Sequence, residues 1–462
     1  MVSQAKKVHF CWMKKQPNIL FILADQWRAQ AFGYAGDPNV KTPNLDAFAA
    51  QSINFHRAVS GCPLCTPYRA SMLTGQYPLT HGLFTNDVPL APEIPGLGNA
   101  FADGGYDTAY VGKWHVDGHG RKAYIPPERR KGFDYWKVLE STHDYWNSFY
   151  YANDETEPRR WEGYDAFAQT DDAIEWIEQR ESENPFMMVL SWGPPHDTNF
   201  PPPADGPDDD WYWGAPEEFR RMYDPQSIEL RPNVPESETE APQKLAGYYA
   251  HGSALDHSFG RLMRMLEEQG LDENTIVLFA SDHGDRLGAH GPGQKQSPLE
   301  ESIRVPLLLR RPQELKTGGR KTDALIDAPD IMPTLLGLCG LDIPESVEGT
   351  DYSPFLESGE TLPVKPALIA SYNPAGYFAP KFGGREYRAV RTERYTYARD
   401  LNGPWLLFDN QLDPHQLNNR IDAPELAVLQ QKLEHQLQQK LNERNDPFLP
   451  ADELLKQWGY TA

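Results

Sequence analysis

A short run around Cys65 carries the most specific chemistry in this chain. Residues 65–69 read Cys-Thr-Pro-Tyr-Arg, and a Thr-Gly pair follows at 74–75. Cys65 also forms a Cys-x-x-Cys pair with Cys62, a spacing used by redox and zinc sites. A zinc site needs a second pair of ligands, but neither Cys11 nor Cys339 has another cysteine two or three residues away. A redox pair and a plain buried cysteine remain as alternatives to a reactive Cys65.

Polar residues follow directly after several short apolar runs. Residues 18–24, 186–192 and 275–280, and a weaker run at 108–111, have the composition of buried strands. Open α/β sheets bind ligands beyond the carboxyl ends of their strands, so the side chains that follow these runs are candidates for one site. They are Asp25 and Gln26, Lys113 and His115, His196, and Asp282 and His283.

The Cys-x-Pro-x-Arg run followed by x4-Thr-Gly resembles the signature of type I sulfatases. In that family a maturation enzyme oxidises the cysteine to formylglycine, whose hydrated aldehyde attacks sulfur. The resemblance continues in Gly-Lys-Trp-His at 112–115, Asp-Ile-Met-Pro-Thr-Leu-Leu at 330–336 and Leu-Phe-Asp at 407–409, so it covers about 18–418. It implies the α/β sandwich of the alkaline phosphatase superfamily, with a four-stranded C-terminal subdomain.

The resemblance also implies a divalent cation, usually calcium, bound by Asp25, Gln26, Asp282, His283 and the formylglycine derived from Cys65. Carboxylate and amide oxygens are the ligands that calcium prefers. Many sulfatases have Asp where this chain has Gln26 and Asn where it has His283, and the histidine keeps manganese and zinc as alternatives. By the same resemblance, Asp282 is the candidate base for the attacking hydroxyl.

Five basic residues receive roles from the resemblance. Arg69 is expected to hold the formylglycine hydroxyl, because a fixed guanidinium favours an alkoxide. Lys113 is expected to bind a sulfate oxygen, and His115 to bond the gem-diol and help expel sulfate. His196 and Lys295, the latter ending a His-Gly-x-x-x-Lys run, are expected to bind bridging or terminal sulfate oxygens. His196 is the preferred general acid for the departing alcohol.

The amino-acid composition means that such a site needs local positive charge. The 462 residues include 66 acidic and 44 basic side chains, for a net charge of −22. This charge speaks against a nucleic acid partner and also repels an anionic substrate at long range. Hydrolysis of a sulfate ester needs an oxygen nucleophile, neutralising groups around the sulfuryl oxygens and a proton for the alcohol. A cation and nearby Lys or Arg side chains must therefore overrule the global charge at short range.

The alternation of strands and helices predicts an α/β fold. We expect a large mixed or parallel sheet sandwiched by helices in residues 1–349, and a smaller antiparallel sheet with a closing helix in residues 350–462. A helix opening after Pro67 would add positive potential beneath the nucleophile. Further helices are predicted at 45–53, 171–180, 242–269 and 423–445, and C-terminal strands at 368–372, 387–392, 395–399 and 405–408.

Four cysteines in so long a chain argue against a disulfide framework. No apolar stretch is long enough to span a membrane, and the N-terminus lacks the apolar core of a secretory signal. As written, the chain is expected to be cytoplasmic, or periplasmic or secreted if a leader has been removed.

Residues 116–223 are expected to build the substrate rim. Seven of the twelve tryptophans fall there, and flat indoles can stack on sugar rings, although Trp176 and Trp192 are expected in the core. Arg121, His143 and Trp146 are rim candidates. Extra cations at the rim suit a polyanionic sugar chain, so a carbohydrate sulfatase acting on a sulfated polysaccharide or oligosaccharide is expected.

Two other functions remain open. A phosphonate monoester or phosphodiester hydrolase would share the fold, metal and nucleophile, and Gln26 and His283 keep that alternative. A non-catalytic binder of sulfated glycans would not need Cys65, Pro67 and Arg69 together, which argues against it.

Overall fold

A ten-stranded mixed sheet forms the centre of the protein. The computed structural model describes residues 16–197, 214–311 and 319–460. The strands of this sheet are β1 (Asn18–Asp25), β2 (Ile53–Asn54), β3 (Asp107–Lys113), β4 (Tyr135–Leu139), β5 (Phe149–Ala152), β6 (Arg159–Arg160), β7 (Phe186–Pro195), β8 (Thr275–Ser281), β9 (Leu307–Arg310) and β10 (Arg320–Lys321). Within the described residues the order of the strands in the sheet is β10-β2-β9-β8-β1-β7-β3-β4-β5-β6, and β8, β1, β7, β3 and β4 run parallel. The carboxyl ends of these five strands therefore meet at one edge.

Helices cover both faces of this sheet. The helices of the described residues are α1 (Pro43–Ala49), α2 (Cys65–Thr74), α3 (Pro78–His81), α4 (Leu97–Asp103), α5 (Asp165–Glu178), α6 (Glu217–Arg220), α7 (Ala241–Glu268), α8 (Glu300–Ile303), α9 (Ala328–Leu338), α10 (Ser353–Ser358), α11 (Ala427–Glu443) and α12 (Ala451–Gln457). Alternate residues of β1 enter two separate cores: Ile19, Phe21 and Leu23 share one with α2 and α9. Leu20 and Ile22 share the other with α5 and α7. The predicted α/β sandwich is confirmed.

The four predicted C-terminal strands are also present and form an antiparallel sheet. They are β11 (Ala367–Ser371), β12 (Tyr387–Arg391), β13 (Tyr395–Asp400) and β14 (Gly403–Asp409). Leu433, Leu437 and Leu441, four residues apart on α11, pack on one face of this sheet. A buried ion pair ties this sheet to α8, with Arg391 Nε 2.7 Å from Glu300 Oε1. The division at residue 349 stays a prediction.

Several predicted element boundaries were wrong. Helix α2 begins at Cys65 rather than after Pro67, since proline is tolerated in the first turn of a helix. The helix predicted at 45–53 ends at Ala49, because Ile53 already pairs with Leu309 in the sheet. The closing helix starts at Ala427, after a short 3₁₀ turn at Pro424–Leu426.

Three of the five described tryptophans of the predicted rim are buried. Trp192 is fully buried, and Trp176 packs half-buried against the same core, as predicted. Trp136 and Trp161 are buried as well. Trp211 and Trp213, with the Pro- and Asp-rich stretch beyond Asp197, lie outside the described residues. Within the described part of the chain, no helix has both the length and the apolar character needed to cross a membrane.

Candidate active site

The sheet itself brings the predicted site residues together. Strands β1 and β8 are parallel neighbours in register, so Asp25 and Asp282 emerge side by side at their carboxyl ends. Asp282 Oδ1 accepts hydrogen bonds from the backbone N–H groups of Gln26 at 3.0 Å and His283 at 2.9 Å. Strand β7 lies on the other side of β1 and delivers His196 to the same edge. Residues far apart in the chain therefore meet through strand pairing.

A buried cluster at this edge offers four ligand atoms, all within 4.8 Å of one another: those of Asp25, Cys65, Asp282 and His283. Cys65 Sγ lies 3.2 Å from His283 Nε2 and 3.7 Å from Asp25 Oδ1. Gln26 is buried beside them, and its Oε1 has no hydrogen-bond partner among the described residues. Such an orphaned amide oxygen suits a cation ligand. Two carboxylates, an amide oxygen, an imidazole and side chain 65 form a donor set that fits a divalent cation.

Residue 65 occupies the first position of α2, where the helix N-terminus contributes positive potential. Lys295 Nζ donates to Cys65 Sγ at 3.3 Å. Burial raises the pKa of this thiol, but Lys295, Lys113 and His283 outweigh burial and hold the pKa well below its usual range. An anionic group at position 65 is thus favoured.

Cys62 lies in different surroundings. It packs in an apolar cluster with Leu64 and Phe84, and burial raises the pKa of its thiol. Both Cys62 and Cys65 are free cysteines. Arg388 acts to lower the pKa of the Cys62 thiol, but burial outweighs it, so an anionic sulfur is favoured at Cys65 and not at Cys62, which argues against a redox pair.

Two of the predicted cations contact the carboxylates rather than side chain 65. Arg69 Nε lies 3.1 Å from Asp282 Oδ2, and its Nη2 lies 3.3 Å from Asp25 Oδ2. Lys113 Nζ lies 2.5 Å from the same Asp25 oxygen. Burial and the neighbouring thiol raise the pKa of Asp25, but Lys113, His196 and Arg69 outweigh them and lower it. Arg69 and Lys113 thus keep Asp25 ionised.

His196 is held from several sides. Its Nδ1 lies 2.9 Å from Asp197 Oδ1, and Lys295 Nζ lies 2.7 Å from its Nε2. The His143 ring stacks on it with centroids 4.0 Å apart, and the Tyr145 hydroxyl donates to its carbonyl at 2.9 Å. Burial and Lys295 lower the pKa of His196, but Asp197 and a hydrogen bond with Cys65 outweigh them and the pKa rises to about 9. Lys295 donates to Nε2 in this arrangement, so His196 can act as a general acid from Nε2 once the oxygen of the leaving group replaces Lys295 Nζ there.

A family model described as "Sulfatase" matches residues 17–341, well over half of the chain. The chain belongs to the sulfatase family. A second model, for the C-terminal region of N-sulphoglucosamine sulphohydrolase, matches residues 288–443. The protein is therefore a sulfuric ester hydrolase.

Similar proteins cover nearly the whole of this sulfatase. An ulvan-active sulfatase from Formosa agariphila is 46% identical over 96% of this chain and 85% of its own length. An endo-4-O-sulfatase from Bacteroides thetaiotaomicron is 31% identical over 94% and 93%. A solved structure from work on glycosaminoglycan metabolism by B. thetaiotaomicron has a TM-score of 0.83 and 29% identity, covering 96% of this chain and 99% of that one.

Asp87 is a residue of the sulfatase site that sequence reasoning missed. His115 Nε2 lies 3.3 Å from Asp87 Oδ1, and Arg121 donates to both Asp87 oxygens at 3.2 and 2.9 Å. The preceding Asn86 accepts a hydrogen bond from the backbone N–H of Thr66 at 3.0 Å, which fastens this loop to the first turn of α2. Asp87 follows no apolar strand, so the pattern that found the other residues could not find it.

The other rim candidates fall into two groups. Arg121 is half-exposed beside His115, and His143 lies directly against His196. Trp146 is half-buried instead, because its indole N–H donates to the Gly214 carbonyl at 2.5 Å and its ring packs against the core. Arg121 and His143 therefore line the sulfatase site, while Trp146 supports the loop that carries His143.

Proposed function

We propose that this sulfatase hydrolyses sulfate esters of a sulfated polysaccharide or oligosaccharide, using a formylglycine made from Cys65 and a divalent cation. Calcium is the first choice of ion, with manganese or zinc as alternatives, and a formylglycine-generating enzyme would be the maturation partner. The names of the ulvan-active and endo-4-O-sulfatase relatives support a polysaccharide substrate. The observation that carries the proposal is the buried cluster of Cys65 with Asp25, Asp282 and His283.

Formylglycine would supply a hydroxyl nucleophile at position 65, and the cation would attract the sulfuryl oxygens. The chain's own residues neutralise charge, donate the proton and position the reacting groups. The protein as a whole is acidic, but Lys113 and Lys295 place positive charge at the site. This positive charge offsets the negative charge of the bound sulfate. His196, oriented by Asp197 at Nδ1, presents Nε2 to the departing alcohol and gives it a proton. Asp87 and Thr66 hold His115 against residue 65.

The cation site can be tested by binding alone. Replacing Gln26 with leucine removes one neutral oxygen donor, so we expect calcium affinity to fall by about 10- to 100-fold. Isothermal titration of protein with unmodified Cys65 measures this without any turnover. Calcium at 100 times its Kd should also stabilise the wild-type protein by about 2.7 kcal/mol, and a chelator should reverse this.

Gln76 is the matched control for this variant. It is buried and its Oε1 also has no partner among the described residues, but it follows α2 at the end opposite to Cys65. Gln76→Leu should leave calcium affinity unchanged. Equal calcium affinities for wild-type protein and Gln26→Leu would show that Gln26 is not a ligand of the cation.

A substrate panel tests the proposed reaction. Matured protein is given ulvan oligosaccharides and other sulfated sugars, 4-nitrophenyl sulfate, a phosphodiester and a phosphonate monoester. We expect release of inorganic sulfate from a sugar, together with a formylglycine mass in the peptide that contains residue 65. Fast cleavage of the aryl sulfate with no turnover of any sugar would contradict the carbohydrate assignment. Higher rates on the phosphorus esters would favour the phosphonate monoester or phosphodiester hydrolase.

A further inference from the structure

An ion pair between Asp87 and Arg121 lies beside the candidate nucleophile. Arg121 Nε and Nη2 both donate to the Asp87 carboxylate, and each side chain is about half-exposed, at 48% for Asp87 and 49% for Arg121. Asp87 also contacts His115, which lies next to Cys65. The Arg121 carbonyl accepts a hydrogen bond from Ser141 N–H, in the loop that leads to His143. The pair thus lies between the sulfate-binding residues and the rim.

Stability alone does not account for this pair. Exposed ion pairs contribute little to the free energy of unfolding. Asp87 and His115 both have left-handed backbones, with φ of 60° and 59°. Strained backbone of this kind is concentrated at ligand-binding sites. The contact of the pair with His115 at the site therefore favours a ligand-binding role over a role in stability.

Both partners keep unused hydrogen-bonding capacity. Among the described residues Arg121 donates from Nε and Nη2 only, which leaves the Nη1 N–H groups free, and the exposed Asp87 carboxylate has further lone pairs. A carboxylate and a guanidinium side by side match a sugar, which offers hydroxyl donors and oxygen acceptors on neighbouring carbons. His115 links Asp87 to residue 65, so a hydroxyl next to a sulfate held at residue 65 would be within reach of Asp87.

We propose that Asp87 and Arg121 bind the sugar unit that carries the sulfate ester. Asp87 accepts a hydrogen bond from the hydroxyl next to the ester, and Arg121 donates to an oxygen of the same sugar. The inference rests on the proposed function, because it assumes a sugar sulfate at residue 65. The pair would then determine specificity for sugar sulfates, because an aryl sulfate has no sugar unit that the pair could bind.

The test combines a variant with a change in the substrate. Arg121→Ala should lower kcat/KM on a sulfated sugar by about 10- to 100-fold, since hydrogen bonds to charged groups are among the stronger ones. The loss on 4-nitrophenyl sulfate should be at least ten times smaller. Asp87→Asn also disturbs His115, which affects every substrate, but the additional loss that it shows on the sulfated sugar over 4-nitrophenyl sulfate should vanish on a deoxy analogue that lacks the neighbouring hydroxyl. Titration of the same sugar into Cys65→Ala protein should show weaker binding when Arg121 is also replaced.

Arg394 provides the matched control. It is exposed to a similar degree and donates from the same two nitrogens to Asp409, but it belongs to the C-terminal sheet. Arg394→Ala should match wild-type protein on every substrate. Equal losses for Arg121→Ala on sugar and aryl sulfates would mean that the pair acts only through His115, and would overturn the inference while leaving the proposed function intact. Wild-type protein that neither binds nor cleaves a sulfated sugar would overturn both.

Discussion

Replacing Cys65 with alanine should abolish sulfate ester hydrolysis, with a loss in kcat of about 10⁴-fold or more, as for other covalent nucleophiles. Side chain 65 approaches Lys295, His283 and Asp25 together, within 3.3, 3.2 and 3.7 Å. Alanine leaves these groups in place but removes the thiol from which the proposed nucleophile is made. The measurement is sulfate release from a sulfated sugar after expression with the maturation enzyme.

Cys62→Ala is the control for this experiment. Cys62 is buried three residues away, but in an apolar cluster, so its replacement should retain most of the activity and give only a modestly lower melting temperature. Peptide mass analysis should find formylglycine at residue 65 in both wild-type and Cys62→Ala protein. Equal loss of activity in the two variants, with an unmodified thiol at 65, would point to the redox pair instead.

Replacing His196 with alanine should lower kcat on sugar sulfates by about 10²- to 10⁴-fold, the range that general acid catalysis contributes. A sugar alkoxide is a strong base and cannot leave without a proton, whereas 4-nitrophenolate can. We therefore expect a much smaller loss on 4-nitrophenyl sulfate. The comparison of kcat for the two leaving groups measures the proton transfer itself.

His257 is the histidine control, because it is exposed on α7 and away from the site. His257→Ala should behave as wild-type protein with both substrates. Equal losses in His196→Ala with both leaving groups would show that His196 only binds sulfate, and the proton would then have to come from another group. Lys295, 2.7 Å from His196 Nε2, would be the next candidate.

The amino-acid sequence by itself determined the fold class and most of the site. Short apolar runs such as β1 and β8 mark buried strands, and polar residues at their carboxyl ends must face the same edge once those strands pair in parallel. That rule depends on local patterning, so it found Asp25, Asp282 and His196. The Cys-x-Pro-x-Arg run added residue 65 through its resemblance to the sulfatases.

Only the tertiary structure decided which partner each side chain contacts. Arg69 and Lys113 contact buried carboxylates, because ionised Asp25 and Asp282 need compensating charge once they leave water. Asp87 reaches His115 through a loop with no periodic pattern. The indole N–H of Trp146 donates to the Gly214 carbonyl, which packing places beside it. Such contacts depend on distances between loops far apart in the chain, and spacing along the sequence carries no information about them.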